Sequence, residues 1–199
     1  LLSIVQEKLL DSITLQTILF IMAAYLFQMG LGLGLVRMCL NMINNAETNF
    51  PQLFGNFHML IPYLFASILY LASLMLTALP GLILLITIVA VDLNSLSSFT
   101  ENVWAILSTI IMIAPVIYLS VRLQFYKYFL VEEECGIIES IGKSANISKG
   151  YVLELFILSA VLSLIILISI IPMGLGLLLS IPLSEVATSY VYLKLKKNY

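Results

Sequence analysis

The chain has 199 residues, of which 61% are hydrophobic and 10% charged, with a formal net charge of −2 and a mean hydropathy of +1.10. A soluble domain of this size cannot hide so much apolar surface, and soluble domains carry about 25% charged residues. There is no basic block to serve a nucleic acid. Cys39 and Cys135 lie too far apart in sequence to suggest a metal cluster or a disulfide framework.

Lipid is therefore the expected solvent, and in lipid only helices or closed barrels satisfy every backbone group. The apolar runs are continuous and do not alternate with period two, so the expected fold is all-α: one transmembrane helix bundle over residues 1–199. The first span is expected over 13–36, ended by Arg37. A polar stretch, 41–56, follows. Its NFPQLFGNF segment offers Phe50, Leu53, Phe54 and Phe57 as shallow membrane anchors. Between Glu47 and Asp92 only His58 is ionisable. Dividing this stretch at Pro80-Gly81 would leave a second piece of about 16 Å, roughly half a bilayer. One long tilted helix over 57–91, kinked at Pro80, is the better expectation.

A polar loop over 94–102 leads to the third span, 103–121, which contains Pro115 and ends at Arg122. Residues 124–150 form the longest polar region. Within it, 136–149 reads as an amphipathic helix, with Ile137, Ile138, Ile141 and Ala145 on one face and Glu139, Lys143 and Asn146 on the other. It is expected on the cytoplasmic membrane surface or packed under the bundle. The fourth span is expected over 151–171, then a break at Pro172-Met173-Gly174, then the fifth over 175–195, which holds Pro182.

Every lysine and arginine except Lys8 falls in the Arg37 loop, the Arg122–Gly150 region or the C-terminus. By the positive-inside rule these share the cytoplasmic side. Tyr126, Tyr128, Tyr190, Tyr192 and Tyr199 fall near that side, as an aromatic belt would. Residues 1–12 are then expected outside. An upstream sixth span would return the N-terminus to the cytoplasm.

Motifs for chemistry are sparse. Gly142-Lys143-Ser144 resembles the end of a phosphate-binding loop, but the first glycine is out of register and no strand precedes it. His58 alone cannot build a zinc site. Neither a metal nor a cofactor is expected. Glu132-Glu133-Glu134 reads as a solvated charge run. Gly30 and Gly34 form a small-xxx-small pair suited to close helix packing, within the chain or across a homodimer. Gly174 and Gly176 repeat the pattern after Met173, as Gly30 and Gly32 do after Met29. Glu185 stands out, because a carboxylate within a span is costly and usually marks an ion pair or a polar path. Arg37 and Arg122, both at helix ends, are its expected partners.

The second half resembles a known group of bacterial multi-pass proteins. The resemblance rests on Pro115-Val116-Ile117-Tyr118 running into Val121-Arg122-Leu123 and Tyr126; on Glu139-Ser140 through Ser144 to Ser148-Lys149-Gly150; and on Pro182, Ala187 and Tyr190 to Tyr192. In these stretches the chain is similar to the YciC/DUF975-like proteins and to the membrane domain attached to some glycerophosphodiester phosphodiesterases. The resemblance implies an inner-membrane protein of about six spans and supplies no reaction. The leading expectation is a non-enzymatic module that binds lipids or partners, or a subunit of a membrane complex. The alternative is a small transporter component with a polar site near Glu185. An intramembrane enzyme would need paired acids, a zinc motif or a Ser-His pair, and the sequence offers none.

Overall fold

A computed structural model describes residues 2–91, 99–171 and 174–197, with side chains described over 14–88, 103–171 and 174–197. The described chain is all-helical: α1 (Leu2–Ile43), α2 (Gln52–Gly55), a 3₁₀ turn (Phe57–Met59), α3 (Leu60–Val91), α4 (Phe99–Leu123), α5 (Tyr126–Glu133), α6 (Ile137–Ile147), α7 (Val152–Ile170) and α8 (Leu177–Lys196). Among the described residues, four stretches are long and apolar enough to cross a membrane, at 14–43, 52–88, 103–133 and 152–170. Helix α8 corresponds to the expected fifth span but is not among them. Its serines, Glu185 and terminal lysines leave it less apolar than the other four.

The first helix does not stop at Arg37. It runs on to Ile43 because the polar residues beyond Arg37 fold back against it. There Asn41 donates to Gln52, and Gln52 donates to the Glu47 carbonyl. Asn45 takes a left-handed conformation, φ 55°, which reverses the chain. Pro80, Pro115 and Pro182 each lie inside a helix that continues through them. Pro172 and the loop over 92–98 lie outside the described residues. The loop expected to reach Asn102 gives way to α4 at Phe99.

Helices α3 and α4 pack along most of their length as an antiparallel hairpin. Gly81 permits this, since a Cβ there would overlap the backbone of Met112. Helices α7 and α8 form a second hairpin, turned at Gly174 with φ 79°. The core is concentrated at one end of the molecule. Leu33, Val36 and Leu40 of α1, Met59, Val121, Leu155, Tyr192 and Leu195 gather around α5, whose residues Tyr126 and Tyr128 to Val131 are all buried. The apolar stretches themselves bury little against one another: 17% for the first and 6% for each of the other three. The buried end holds the Arg37 loop, the 122–150 region and the C-terminal end of α8 together, as their shared charge suggested.

Helix α6 packs under the bundle, against α3, α4 and α5. Ile137 and Ile141 of the expected apolar face pack, half-buried, against the core, but the most deeply buried residues of the helix are serines beside that face. Ile138 is 79% exposed, whereas Ser140, Ser144, Ser148 and Ile147 are buried. The serines answer a backbone need. The helical run breaks between α4 and α5, which frees the Arg122 carbonyl and the Phe125 N–H. Ser144 Oγ accepts from Phe125 N at 3.0 Å and donates to the Arg122 carbonyl at 3.1 Å. Ser148 Oγ donates to that same carbonyl at 3.0 Å. Short hydroxyl side chains reach stranded backbone groups that no aliphatic residue could satisfy.

Candidate functional site

Glu185 sits on α8, one turn after Pro182. Its side chain is 16% exposed. Lys127 Nζ lies 2.8 Å from Oε1 and donates to Oε2 at 2.9 Å. The fully buried Tyr128 hydroxyl donates to Oε1 at 2.6 Å. The carboxylate therefore has both a counter-charge and a neutral donor, the arrangement that makes a partly buried charge tolerable. Both partners come from α5, so the cluster fastens α8 to the hub.

The expected partners lie elsewhere. Arg37 Nη1 donates to the Val131 carbonyl at 2.8 Å, and Arg122 Nη2 donates to the Ala145 carbonyl at 2.6 Å. Both guanidiniums close helix C-terminal ends, α5 for Arg37 and α6 for Arg122, where free carbonyls favour a cation. Arg122 also lies over the Tyr118 ring, 5.7 Å from its centroid. The sequence reading missed Lys127 and Tyr128 because α5 has eight residues (YKYFLVEE) and no amphipathic period. The weak signal available was a lysine between two tyrosines immediately after the α4 break.

A second ionic cluster lies along the same seam. Glu132 accepts from Lys196 at 2.9 Å and from the Tyr192 hydroxyl. Glu133 pairs with Lys196 and Lys143, each at 2.7 Å, and Lys143 also reaches Glu139 at 2.6 Å. Glu132 and Glu133 thus clamp α5 to α6 and α8, whereas Glu134 stays exposed, as a solvated charge would. The Lys143 hydrogen bond holds the exposed Glu139 carboxyl below the usual carboxylate range. The same two glutamates push Lys143 up. Lys143 is therefore engaged as an ion-pair partner, which further disfavours the phosphate-loop reading of its motif. Burial raises the Cys135 thiol.

Between the two clusters Tyr128 stacks on Tyr192 at 5.2 Å, and Phe129 meets Tyr192 edge-on at 5.0 Å. Lys127 lies 5.0 Å from the Tyr128 ring centroid. The expected aromatic belt is therefore largely an aromatic core. Tyr126, Tyr128 and Tyr192 are buried, Tyr190 is 57% exposed, and Tyr199 lies outside the described residues.

The glycines divide by role. A Cβ on Gly30 would fall 2.6 Å from the Phe57 ring, and one on Gly34 would overlap the Leu53 carbonyl. Their face is thus occupied by the chain's own 53–57 segment, where Phe57 also meets Phe27 and Phe54. A Cβ on Gly176 would fall 2.7 Å from the Ser169 carbonyl oxygen, so it belongs to the α7–α8 packing. Gly174 makes the turn. Among the described residues no group of three His, Cys, Asp or Glu is placed to hold a metal ion.

Helices long and apolar enough to cross a membrane, locked together at one end by aromatic stacking and ion pairs, define a helical membrane bundle. The chain belongs to the family described as protein of unknown function (DUF975), whose model matches residues 1–199. Comparison with curated proteins and with solved structures finds no match.

Proposed function

We propose that this chain is a non-enzymatic module of the bacterial inner membrane that binds lipids or partner membrane subunits along its apolar helices. One observation carries the reading: the apolar stretches bury 6–17% of their residues within the chain. Their flanks are thus left to lipids or to other proteins. The ionisable groups at the closed end support it, because Glu132, Glu133, Glu185, Lys127, Lys143 and Lys196 are paired among themselves. In this reading α8 is the fifth crossing, and the basic end, with the C-terminus, faces the cytoplasm. The resemblance to the membrane domain of glycerophosphodiester phosphodiesterases points the same way, toward lipid biology.

Native mass spectrometry of the protein released from lipid nanodiscs tests the proposal. A stoichiometric lipid or protein adduct supports it. A bare monomer from every lipid background refutes it. A second reading, a small transporter component, draws on Glu185 together with Ser180, a buried hydroxyl on the same helix with no hydrogen-bond partner among the described residues. Glu185→Gln would abolish transport under that reading, and unchanged transport would dismiss it.

A further inference from the structure

A groove of about 370 Å³ opens between α1, α3 and α5, lined by Tyr25, Gln28, Gly32, Tyr63, Ser67 and Tyr126. Its size falls within the range of small-ligand sites. Its chemistry differs from the aliphatic surface around it: three tyrosines, a serine and a primary amide converge there, with no charged side chain in the lining. The nearest charge along α5, Lys127, is occupied by Glu185.

The groove has a rigid floor and an open wall. Tyr126 is buried, stacks on Tyr63 at 6.1 Å and Tyr70 at 5.2 Å, and shares a 3.1 Å hydrogen bond with Ser67. A Cβ on Gly32 would meet nothing within 4 Å, so that side stays open. On the other wall, the Gln28 amide and the Tyr25 hydroxyl have no hydrogen-bond partner among the described residues. Both lie within the apolar 14–43 stretch, and Tyr25 is 59% exposed. A primary amide facing lipid without a partner is costly. The level of the groove is set by Tyr126, which directly precedes charged Lys127, and by Gly30, which Phe57 covers near the polar 44–56 loop. Both place the groove beside the charged and polar segments at the core end of the bundle.

We propose that this groove binds an uncharged glycerolipid of the diacylglycerol type. The Gln28 amide and Tyr25 hydroxyl pair with its free hydroxyl and ester carbonyls, and its acyl chains run outward along α1 and α3. The lack of a free cation in the lining disfavours an anionic headgroup, which would call for charge-assisted partners. This deepens the lipid-binding arm of the proposed function and rests on it.

The test uses the full chain in phosphatidylcholine nanodiscs containing equal fractions of diacylglycerol and phosphatidylglycerol, read by native mass spectrometry. Wild type should retain one diacylglycerol. Gln28→Leu should lower that retention roughly tenfold, the effect of about 1.4 kcal/mol of lost hydrogen bonding, and Tyr25→Phe should lower it less. Unchanged melting temperatures would show that both variants fold. Equal diacylglycerol retention by wild type and Gln28→Leu overturns the site while leaving a lipid- or partner-binding module intact. Preferential, Gln28-dependent retention of phosphatidylglycerol, or a dimer lost on Gln28→Leu, also overturns it. A wild-type protein that carries neither lipid nor partner overturns this inference and the proposed function together.

Discussion

Replacing Glu185 by leucine tests whether the Lys127–Glu185–Tyr128 cluster fastens α8 to α5. The change strands two groups: the Lys127 ammonium, 28% exposed, and the Tyr128 hydroxyl, which is fully buried. A buried hydroxyl without an acceptor costs about 1–3 kcal/mol. Removing one member of a buried ion pair costs about 3–5 kcal/mol, and the partial exposure of Lys127 lowers its share. The expected loss is about 3–4 kcal/mol, a large fraction of the stability of a small domain. Lys127→Met alone should cost less, because Tyr128 still satisfies the carboxylate. The double variant should be more stable than the summed losses imply, with a coupling of about 1–2 kcal/mol. Thermal unfolding in nanodiscs, followed by circular dichroism and by protease cleavage near α8, measures each corner of the cycle. Additive losses, within about 0.5 kcal/mol, would refute the pairing, and an undiminished melting temperature for Glu185→Leu would refute its stabilising role.

The glycines supply a matched pair. Gly34→Ala pushes a methyl group into the Leu53 carbonyl and should free the 44–57 segment for proteolysis, whereas Gly32→Ala, with open space around it, should leave the cleavage pattern unchanged. Gly81→Leu should separate α3 from α4 at Met112, seen as a lost engineered cysteine crosslink across that hairpin. Ser144→Ala removes the acceptor of the Phe125 N–H and should cost about 1–3 kcal/mol; a melting temperature equal to wild type would contradict that role. For pH, the depressed Glu139 carboxyl contributes stability that is present above its unfolded value, about 4.3, and is lost as pH falls through its lower folded value. The acid limb of a pH–stability profile should therefore flatten slightly in Glu139→Gln, with no change at neutral pH beyond that of a surface pair.

Several features were legible in the residues themselves. Of the five crossings expected from composition, four coincide with described stretches long and apolar enough to span a membrane. Leu60–Val91 reads as one helix through Pro80 because the piece after the proline is too short to span alone. Asymmetric lysine and arginine placement anticipated that the Arg37, 122–150 and C-terminal regions meet at one end. Glu185 stood out because an acid among aliphatic residues needs a partner.

The identity of that partner was decided only by tertiary structure. Arg37 and Arg122 were nearest in chemistry, but each is drawn to the free carbonyls of a helix end. Lys127 reaches Glu185 because α5 turns back under the bundle, a step governed by Ser144 on α6 and Ser148 at its C-terminal cap, which hold the α4–α5 break. Such a break has no periodicity to betray it, and residues 124–134 look like a polar loop when their neighbours are unknown. Local composition determines which segments leave water. Which side chains then pair depends on backbone groups stranded at helix ends, and their positions exist only once the helices have packed.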